Sequence, residues 1–413
     1  MPKLVSGALG ASRWARLAGV VAYLTVMLLV AAASFHGAYE KWGFRDGAKR
    51  FGVEAMLAGT AYRPFVYRAL NPWIANAVVE VTPPPTMAAL RQRSITTSGH
   101  SKIGPDRIAI APPATFVRYN LLYYLTFLEW YVAVLAMAAL GAHYTGRGPG
   151  AAASAILALA MPILMSGGGY FYDTTEVMFL AVATYAAVRG WFPLLAAAAV
   201  IGAVNKETMV LFLPTLLPFV RQRMKTTTTT AVLTCALMIG AALAHALVRS
   251  FYYGNPGVEA EVHLFENLRW YLDPRTLLGV EKTYGLLLFS PYSPLFLGLV
   301  LILGISGWRS ASPAVRQHAA LALAVNIPLF LALGFKGELR GLSLAYPAWT
   351  ILSAVAVRNW MLSAAAQPLP HEASPRRFDL GLGGVVARLR RTASASGPIG
   401  VSPSPRPTRP PAG

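Results

Sequence analysis

The sequence predicts an all-α, polytopic transmembrane helical bundle, and two observations carry that prediction. The chain of 413 residues is 55% hydrophobic and only 13% charged, whereas a soluble domain carries about 25% charged residues. Apolar runs such as Leu121–Leu140 and Ala231–Val248 recur along the chain. Since a run of about 20 apolar residues is long enough to span a bilayer, we expect a membrane protein built from helices.

The hydrophobic pattern predicts about ten spans, several of them short. Their approximate limits are 15–35, 117–140, 150–166, 176–189, 191–204, 208–220, 230–250, 286–306, 317–335 and 341–357. We interpret the first run as an uncleaved span, because it is long for the apolar region of a signal peptide. Residues 65–81 are interpreted as a further buried or re-entrant helix.

Basic residues indicate the orientation of these spans. With the N-terminus in the cytoplasm, the short inside loops and the tail contain Arg147, Arg189, Arg221, Arg223, Lys225, Arg309, Arg316 and Arg358. This distribution agrees with the positive-inside rule. The opposite face receives residues 36–116, 167–175, 205–207, 251–285 and 336–340. We therefore expect a multi-pass protein of the cell (inner or plasma) membrane with both termini in the cytoplasm.

The chain is predicted to contain a transmembrane domain over residues 1–363 and a cytoplasmic tail over residues 364–413. The two large outer loops of that domain are 36–116 and 251–285. In the first of them, residues 36–82 suit interfacial helices, and residues 83–113 suit an irregular stretch because Pro and Gly recur there. The tail is basic and rich in Pro and Ser, a composition typical of disorder.

Charge and cysteine content argue against several other classes. The net charge of +19 is scattered between apolar spans, so membrane lipids explain it better than a nucleic acid partner does. Cys235 is the only cysteine, so neither an internal disulfide nor a Cys-based metal site is expected. His36, His245 and His263 show no metal-ligand spacing, and a divalent metal is not indicated.

Four charged motifs lie at the ends of apolar segments on the predicted outer side, where they could form one site. The motifs are Arg63–Arg68, Tyr172–Glu176, Asn205–Thr208 and Lys336–Arg340. Ionisable groups at the edge of a membrane are costly and usually face a protein cavity. Their candidate binding residues are Arg63, Arg68, Asp173, Glu176, Lys206, Glu207, Lys336, Glu338 and Arg340.

Each motif also has a purely structural interpretation. Arg63 and Arg68 could hold a phosphate with their fork-shaped guanidinium groups, or they could snorkel to the membrane surface. Asp173 and Glu176 could instead cap a helix and favour its positive end. The other two motifs could bind an anionic head group or form charged turns.

The segment after the first span supplies the candidate catalytic carboxylates. Asp46, or alternatively Glu40, is positioned to act as a general base that deprotonates an acceptor hydroxyl. The alternative is an interfacial helix whose aromatic residues anchor it while its charged residues are solvated.

Taken together, these residues resemble a group of bacterial polytopic membrane proteins related to GT-C-type glycosyltransferases. The resemblance rests on the first outer loop with Pro64–Arg68, on Tyr172–Glu176, on Asn205–Thr208 and on Gly337–Arg340. It covers residues 15–358 and implies a GT-C-like bundle.

The resemblance implies a transferase that uses a sugar linked to a polyprenyl phosphate and that reacts at the outer face. It implies that Asp46 is the base, with Glu40 second, and that Arg340, Lys206, Arg63 and Arg68 contact the donor phosphate. The chain departs from many relatives, which carry an acidic pair where Asp46 stands between Arg45 and Gly47. A transporter or flippase for an anionic lipid or solute and a non-catalytic membrane scaffold therefore remain alternatives.

Overall fold

The computed structural model describes residues 2–97, 108 and 110–365, most of which are helical. Five helical segments in this part of the chain are long and apolar enough to cross a membrane. They are Arg13–Trp42, Pro113–Thr145, Arg147–Leu164, Thr227–Phe251 and Pro313–Leu333. These helices support a membrane protein, whereas the count of about ten spans stays a prediction.

Fifteen α-helices, four 3-10 helices and two β-strands are present in the described residues. The α-helices are α1 Pro2–Trp42, α2 Val53–Leu57, α3 Leu70–Val81, α4 Pro84–Thr97, α5 Pro113–Thr145, α6 Arg147–Leu164, α7 Phe171–Arg189, α8 Phe192–Asn205, α9 Thr208–Phe212, α10 Leu217–Arg223, α11 Thr227–Phe251, α12 Leu264–Tyr271, α13 Pro294–Ser310, α14 Pro313–Leu333 and α15 Tyr346–Ala365. The 3-10 helices are Phe65–Tyr67, Leu213–Leu216, Pro274–Leu278 and Leu339–Ala345, and the strands are β1 Val280–Thr283 and β2 Leu286–Phe289.

The all-α prediction is wrong for residues 280–289, which form an antiparallel hairpin that pairs Val280 with Phe289. Tyr284 and Gly285 both have positive φ, as a two-residue hairpin turn of type I′ requires. The predicted span 286–306 is therefore wrong at its start. Its helix, α13, begins only at Pro294, where the Ser293 side chain accepts a hydrogen bond from the Phe296 amide.

The first long loop also differs from its prediction. Helix α1 continues past the predicted end of the first span to Trp42 and ends at Gly43, whose φ is +55°. Residues 65–81 do not form one helix: a 3-10 turn precedes α3. Residues 83–113 are not irregular throughout, since α4 begins at Pro84, and proline is tolerated in the first turn of a helix.

Proline also divides two of the predicted spans. The segment 208–220 is a succession of α9, a 3-10 turn and α10, with Pro214 and Pro218 at the junctions. The segment 341–357 begins as a 3-10 turn and becomes α15 at Tyr346, next to Pro347.

The residues up to Met361 form one compact unit. Helix α15 continues through Ala365, past the predicted domain end at residue 363. The rest of the predicted tail, residues 366–413, lies outside the described residues, as do residues 98–107 of the first loop.

Helix α5 lies at the centre of the compact unit and packs against α1, α6 and α7. The buried Trp130 of α5 donates a hydrogen bond from Nε1 to Ser34 Oγ of α1 at 2.7 Å. Helix α6 approaches α5 closely where Gly150 faces Gly141: a Cβ built on Gly141 would lie 2.9 Å from the Gly150 Cα. Small residues at such crossings let membrane helices pack backbone to backbone.

Apolar side chains on the outside of the bundle form continuous stripes. On α11, Val232, Ile239, Leu243 and Leu247 are all exposed, and their spacing of seven, four and four residues places them on one helix face. A long exposed apolar stripe is unfavourable in water and suits contact with lipid tails. This stripe agrees with the membrane location that the hydropathy predicts.

Candidate functional site

The Asp173–Arg340 pair forms the centre of a buried cluster of charges at the start of α7. Arg340 Nη1 donates to both carboxylate oxygens of Asp173 at 2.7 Å, and Arg340 Nη2 lies 2.7 Å from Glu338 Oε2. Asp173 also accepts a hydrogen bond from the Tyr170 amide at 3.0 Å and so caps α7. Asp173 is therefore a helix cap, as one interpretation predicted, and also pairs with Arg340, while its role in binding stays a prediction.

Lys206 connects the tip between α8 and α9 to the same cluster. Its Nζ lies 2.6 Å from Glu176 Oε2 and 3.6 Å from Asp173 Oδ1. The Thr208 hydroxyl donates to the other oxygen of Glu176 at 2.5 Å. Asp173 and Glu176 are nearly inaccessible to solvent, so these charges are neutralised inside the protein.

Arg68 places the remaining motif beside this cluster. Its Nη2 lies 2.5 Å from Glu207 Oε1, and its Nη1 donates to the Pro64 carbonyl. Burial raises the pKa of Glu207, but the Arg68 guanidinium, a backbone hydrogen bond and Lys206 together lower the pKa by more, so it lies below its ordinary value. We refer to seven residues together as the ion-pair network. Ion pairs link Asp173, Glu176, Lys206, Glu338 and Arg340, and Arg68 and Glu207 form a separate pair beside them.

Two stacked tyrosine rings accompany the ion-pair network. The Tyr170 and Tyr172 ring centroids lie 5.1 Å apart and are nearly parallel. Arg68 and Lys206 lie 5.6 Å and 5.8 Å from the Tyr172 centroid, and Arg340 lies 4.6 Å from the Tyr170 centroid. A ring face attracts a cation through its quadrupole, so the tyrosines hold the basic groups in place from the side.

Arg45 is a functional candidate that the motif analysis missed. Its guanidinium carbon lies 4.2 Å from the Trp42 ring centroid and 5.3 Å from the Tyr170 centroid. Its Nη2 also donates to the Gly167 carbonyl at 3.4 Å. Among the described side chains, no carboxylate forms an ion pair with Arg45. Its position next to Asp46 in sequence was the signal that could have identified it.

Asp46 lies in a chain of hydroxyl groups. Its Oδ2 accepts hydrogen bonds from the Tyr119 hydroxyl at 3.2 Å and from the Phe44 amide at 3.3 Å. The Tyr119 and Tyr39 hydroxyls are 2.9 Å apart. A carboxylate linked to hydroxyl groups in this way can take up a proton and pass it on over short distances.

The structure separates Glu40 from Asp46. Glu40 is exposed on α1 and pairs with His36 of the same helix at 3.4 Å. Within the described residues, no hydrogen bond or ion pair joins it to the ion-pair network.

Arg63 and Lys336 also lie outside the ion-pair network. Arg63 Nη1 pairs with Glu259 at 3.0 Å, and its Nη2 donates to the Gly257 carbonyl at 2.8 Å. Lys336 is exposed beside the ring of Phe335, and among the described side chains no carboxylate pairs with it.

A pocket of about 390 Å³ opens next to Arg63, between α11 and the loop that follows it. Glu259 lies in its wall and accepts hydrogen bonds from the Tyr67 hydroxyl at 2.9 Å and from Arg249 at 2.7 Å. Burial and the adjacent Glu259 carboxylate raise the pKa of Tyr67, so its hydroxyl remains a donor at neutral pH. Pockets that bind small molecules start at about 300 Å³.

Glu129 of α5 is a second residue that the motif analysis missed. It is buried, and its Oε2 accepts hydrogen bonds from Asn71 Nδ2 at 2.8 Å and from Thr175 Oγ1 at 2.6 Å. No cation among the described side chains pairs with it. The signal was present in the sequence, because Glu129 is the only charged residue of the apolar run Leu121–Leu140.

Within the described residues, no group of three or more His, Cys, Asp or Glu side chains could hold a metal ion. Comparison with protein families, with curated proteins and with solved structures found no match to the chain.

Proposed function

We propose that this chain is a membrane transferase that moves a sugar from a polyprenyl-phosphate donor to an acceptor at the outer face. One observation carries the proposal. Arg45, the neighbour of Asp46, lies against the Tyr170 ring, and that ring also contacts Arg340 of the ion-pair network. The candidate base therefore lies near a cluster of buried cations. A transferase needs this proximity, because proton removal and phosphate binding both act over hydrogen-bond distances.

The proposed reaction assigns separate roles to these residues. Asp46 removes the proton from an acceptor hydroxyl, whose oxygen attacks the anomeric carbon of the sugar. The bond from that carbon to the phosphate oxygen breaks, and the polyprenyl phosphate leaves with the electron pair. Arg45 is the strongest candidate to stabilise the charge on the leaving phosphate, because it lacks a carboxylate partner among the described side chains.

Charge neutralisation favours Arg45 over the buried cations of the network as the first phosphate contact. Arg340 and Lys206 already pair with Asp173 and Glu176 at 2.7 Å and 2.6 Å. A phosphate would have to displace these carboxylates before it reached either cation. In the proposal, the network therefore positions the site, while Arg45 and Asp46 act on the substrate.

The pocket beside Arg63 lies at the end of α11, to which Arg249 belongs. Arg249 and Tyr67 already donate to Glu259 in its wall, so in the proposal the pocket admits the lipid-linked donor and does not hold its phosphate. The exposed Leu247 and Phe251 of the same helix suit contact with lipid tails. A donor could therefore enter sideways from the membrane while its polar group remains at the helix end.

The decisive experiment measures sugar transfer in membrane vesicles from a radiolabelled polyprenyl-phosphate sugar. We expect Asp46→Asn and Arg45→Gln each to lower the rate by about 100-fold or more, since general-base and electrostatic terms each contribute at least that much. Glu80→Gln is the matched control, because Glu80 is an exposed carboxylate of α3. It should leave the rate unchanged.

Three outcomes would contradict the proposal. Unchanged transfer by Asp46→Asn would show that Asp46 is not the base, and absence of transfer by the unaltered chain would reject the transferase. Retained cellular function after Asp46→Ala and Glu40→Ala together would favour a non-catalytic scaffold instead.

Glu129 favours a second candidate function, transport of an anionic lipid or solute coupled to protons. A buried carboxylate within a membrane helix is costly, and such residues mark proton pathways in pumps and transporters. Glu129→Gln should keep the hydrogen bonds from Asn71 and Thr175 yet abolish proton coupling. Loss of proton-driven uptake in proteoliposomes, with sugar transfer absent, would support transport over transfer.

A further inference from the structure

We propose that the segment between α11 and α13 lies on the lipid bilayer and buries an apolar face in its interface. This segment exposes a surface that includes Phe265, Leu268, Leu272, Leu287 and Phe289, which we call the α12–hairpin surface. Its side chains at Phe265, Leu272 and Leu287 are 84%, 79% and 75% exposed. Several large apolar side chains exposed within one segment indicate an interaction surface.

Helix α12 has the form of a helix that lies flat on a membrane. Phe265, Leu268 and Leu272 follow one another at intervals of three and four residues, so they share one face. The opposite face is anchored to the protein: Asn267 Nδ2 donates to the Leu331 and Gly334 carbonyls at 2.9 Å and 2.6 Å. The apolar stripe therefore faces outwards and cannot turn into the protein core.

The β-hairpin continues this surface. Val280 pairs with Phe289 across the strands, and Lys282 pairs with Leu287 two residues further along. Since alternate residues of a strand point to the same side, these four residues share a face. All four are exposed. On the other face, Glu281 pairs with Lys41 of α1 at 2.6 Å.

Three observations identify lipid as the occupant of this surface. Helix α13 begins at Pro294, shortly after the hairpin. Its exposed Leu295, Leu299 and Ile302 repeat at helical spacing, so the apolar surface continues along the chain into a stripe suited to lipid tails. Arg269 of α12 and Lys282 of the hairpin are exposed basic residues, and such side chains keep their charge among head groups while their stems remain apolar.

The test uses the full-length protein carrying Cys235→Ala, since Cys235 is the only cysteine. A fluorescent NBD label is attached at Phe265→Cys or at Leu287→Cys, and the protein is reconstituted in phosphatidylcholine–phosphatidylglycerol vesicles. Glu266→Cys and Arg275→Cys are matched controls, because both side chains are exposed and polar in the same segment. Quenching is then compared between doxyl-labelled lipids and aqueous iodide.

We expect doxyl lipids to quench the labels at positions 265 and 287 at least about twice as strongly as they quench the control labels. Iodide should quench the control labels more strongly than the labels at positions 265 and 287. Equal quenching by iodide at all four positions would mean that the surface faces water, and the proposal would be rejected. Protection from both quenchers would mean that protein, such as a second copy of the chain, covers the surface, and it would equally reject a lipid occupant. Either result can be obtained with or without sugar transfer, because the proposal does not depend on the activity.

Discussion

Arg340 is the single residue on which the ion-pair network depends most. It is buried, and it pairs with Asp173 and Glu338 at 2.7 Å each. We expect Arg340→Gln to destabilise the protein by about 3 kcal/mol, because it leaves the buried Asp173 carboxylate with Lys206, 3.6 Å away, as its remaining counter-charge. Thermal unfolding in detergent micelles measures the change.

Arg275→Gln is the control for that variant. Arg275 also pairs with an aspartate, Asp273, but its side chain is 91% exposed, so its removal should not change the unfolding temperature. Adding Asp173→Asn to Arg340→Gln should restore part of the lost stability. If Arg340→Gln and the unaltered chain unfolded at the same temperature, the Arg340–Asp173 pair would not stabilise the protein.

Glu207 gives the network a defined dependence on pH. Burial opposes ionisation of Glu207, but Arg68, a backbone hydrogen bond and Lys206 together hold its folded-state pKa below the ordinary value of 4.5. The carboxylate therefore contributes stability that is present above pH 4.5 and is lost as the pH falls through the lower folded-state pKa. Unfolding temperatures between pH 3 and 6 should show a difference between Glu207→Gln and the unaltered chain that shrinks below pH 4.5. A difference independent of pH would argue against the pair.

At the scale of elements, Lys41 attaches the β-hairpin to α1. Its Nζ lies 2.6 Å from Glu281 and also donates to the Pro162 carbonyl at 3.2 Å. Hydrogen bonds to charged groups contribute about 1.5–3 kcal/mol each. We expect Lys41→Met to raise amide hydrogen exchange in residues 280–289 by about tenfold or more.

Lys282→Met provides the comparison for that measurement. Lys282 lies on the exposed face of the same hairpin, so its loss should leave exchange in the hairpin unchanged. Similar exchange in both variants would show that the Lys41–Glu281 pair does not hold the hairpin to α1.

Across the whole chain, local sequence patterns predict the helices better than they predict which helices contact one another. The apolar runs predict helices such as α5 and α11, because hydropathy and helix length are properties of a short stretch. The hairpin at 280–289 was missed, since four apolar residues next to α13 extend its apolar run. Turn geometry at Tyr284 and Gly285, rather than hydropathy, separates strand from helix there.

In the candidate site, the sequence likewise predicted the charged residues but not the pairs that they form. The motifs identified Arg68, Asp173, Lys206 and Arg340 as unusual charges at the ends of apolar segments. Their partners could not be predicted, because the pairs join residues as far apart as Asp173 and Arg340, which are 167 positions apart in sequence. Only the packing of the helices decides which charges meet.

The orientation of the molecule in the membrane is the last prediction, and it concerns the whole bundle. Basic loops predict that residue 222 lies in the cytoplasm and residue 336 outside, because three predicted spans separate them. In a chain with Cys235→Ala, we expect an impermeant maleimide to label Lys336→Cys and Tyr253→Cys in intact cells. Gln222→Cys and Arg309→Cys should react only after the membrane is permeabilised. Equal labelling of Gln222→Cys and Lys336→Cys in intact cells would place both ends of the bundle on one side, and neither the orientation nor the outer location of the ion-pair network could then hold.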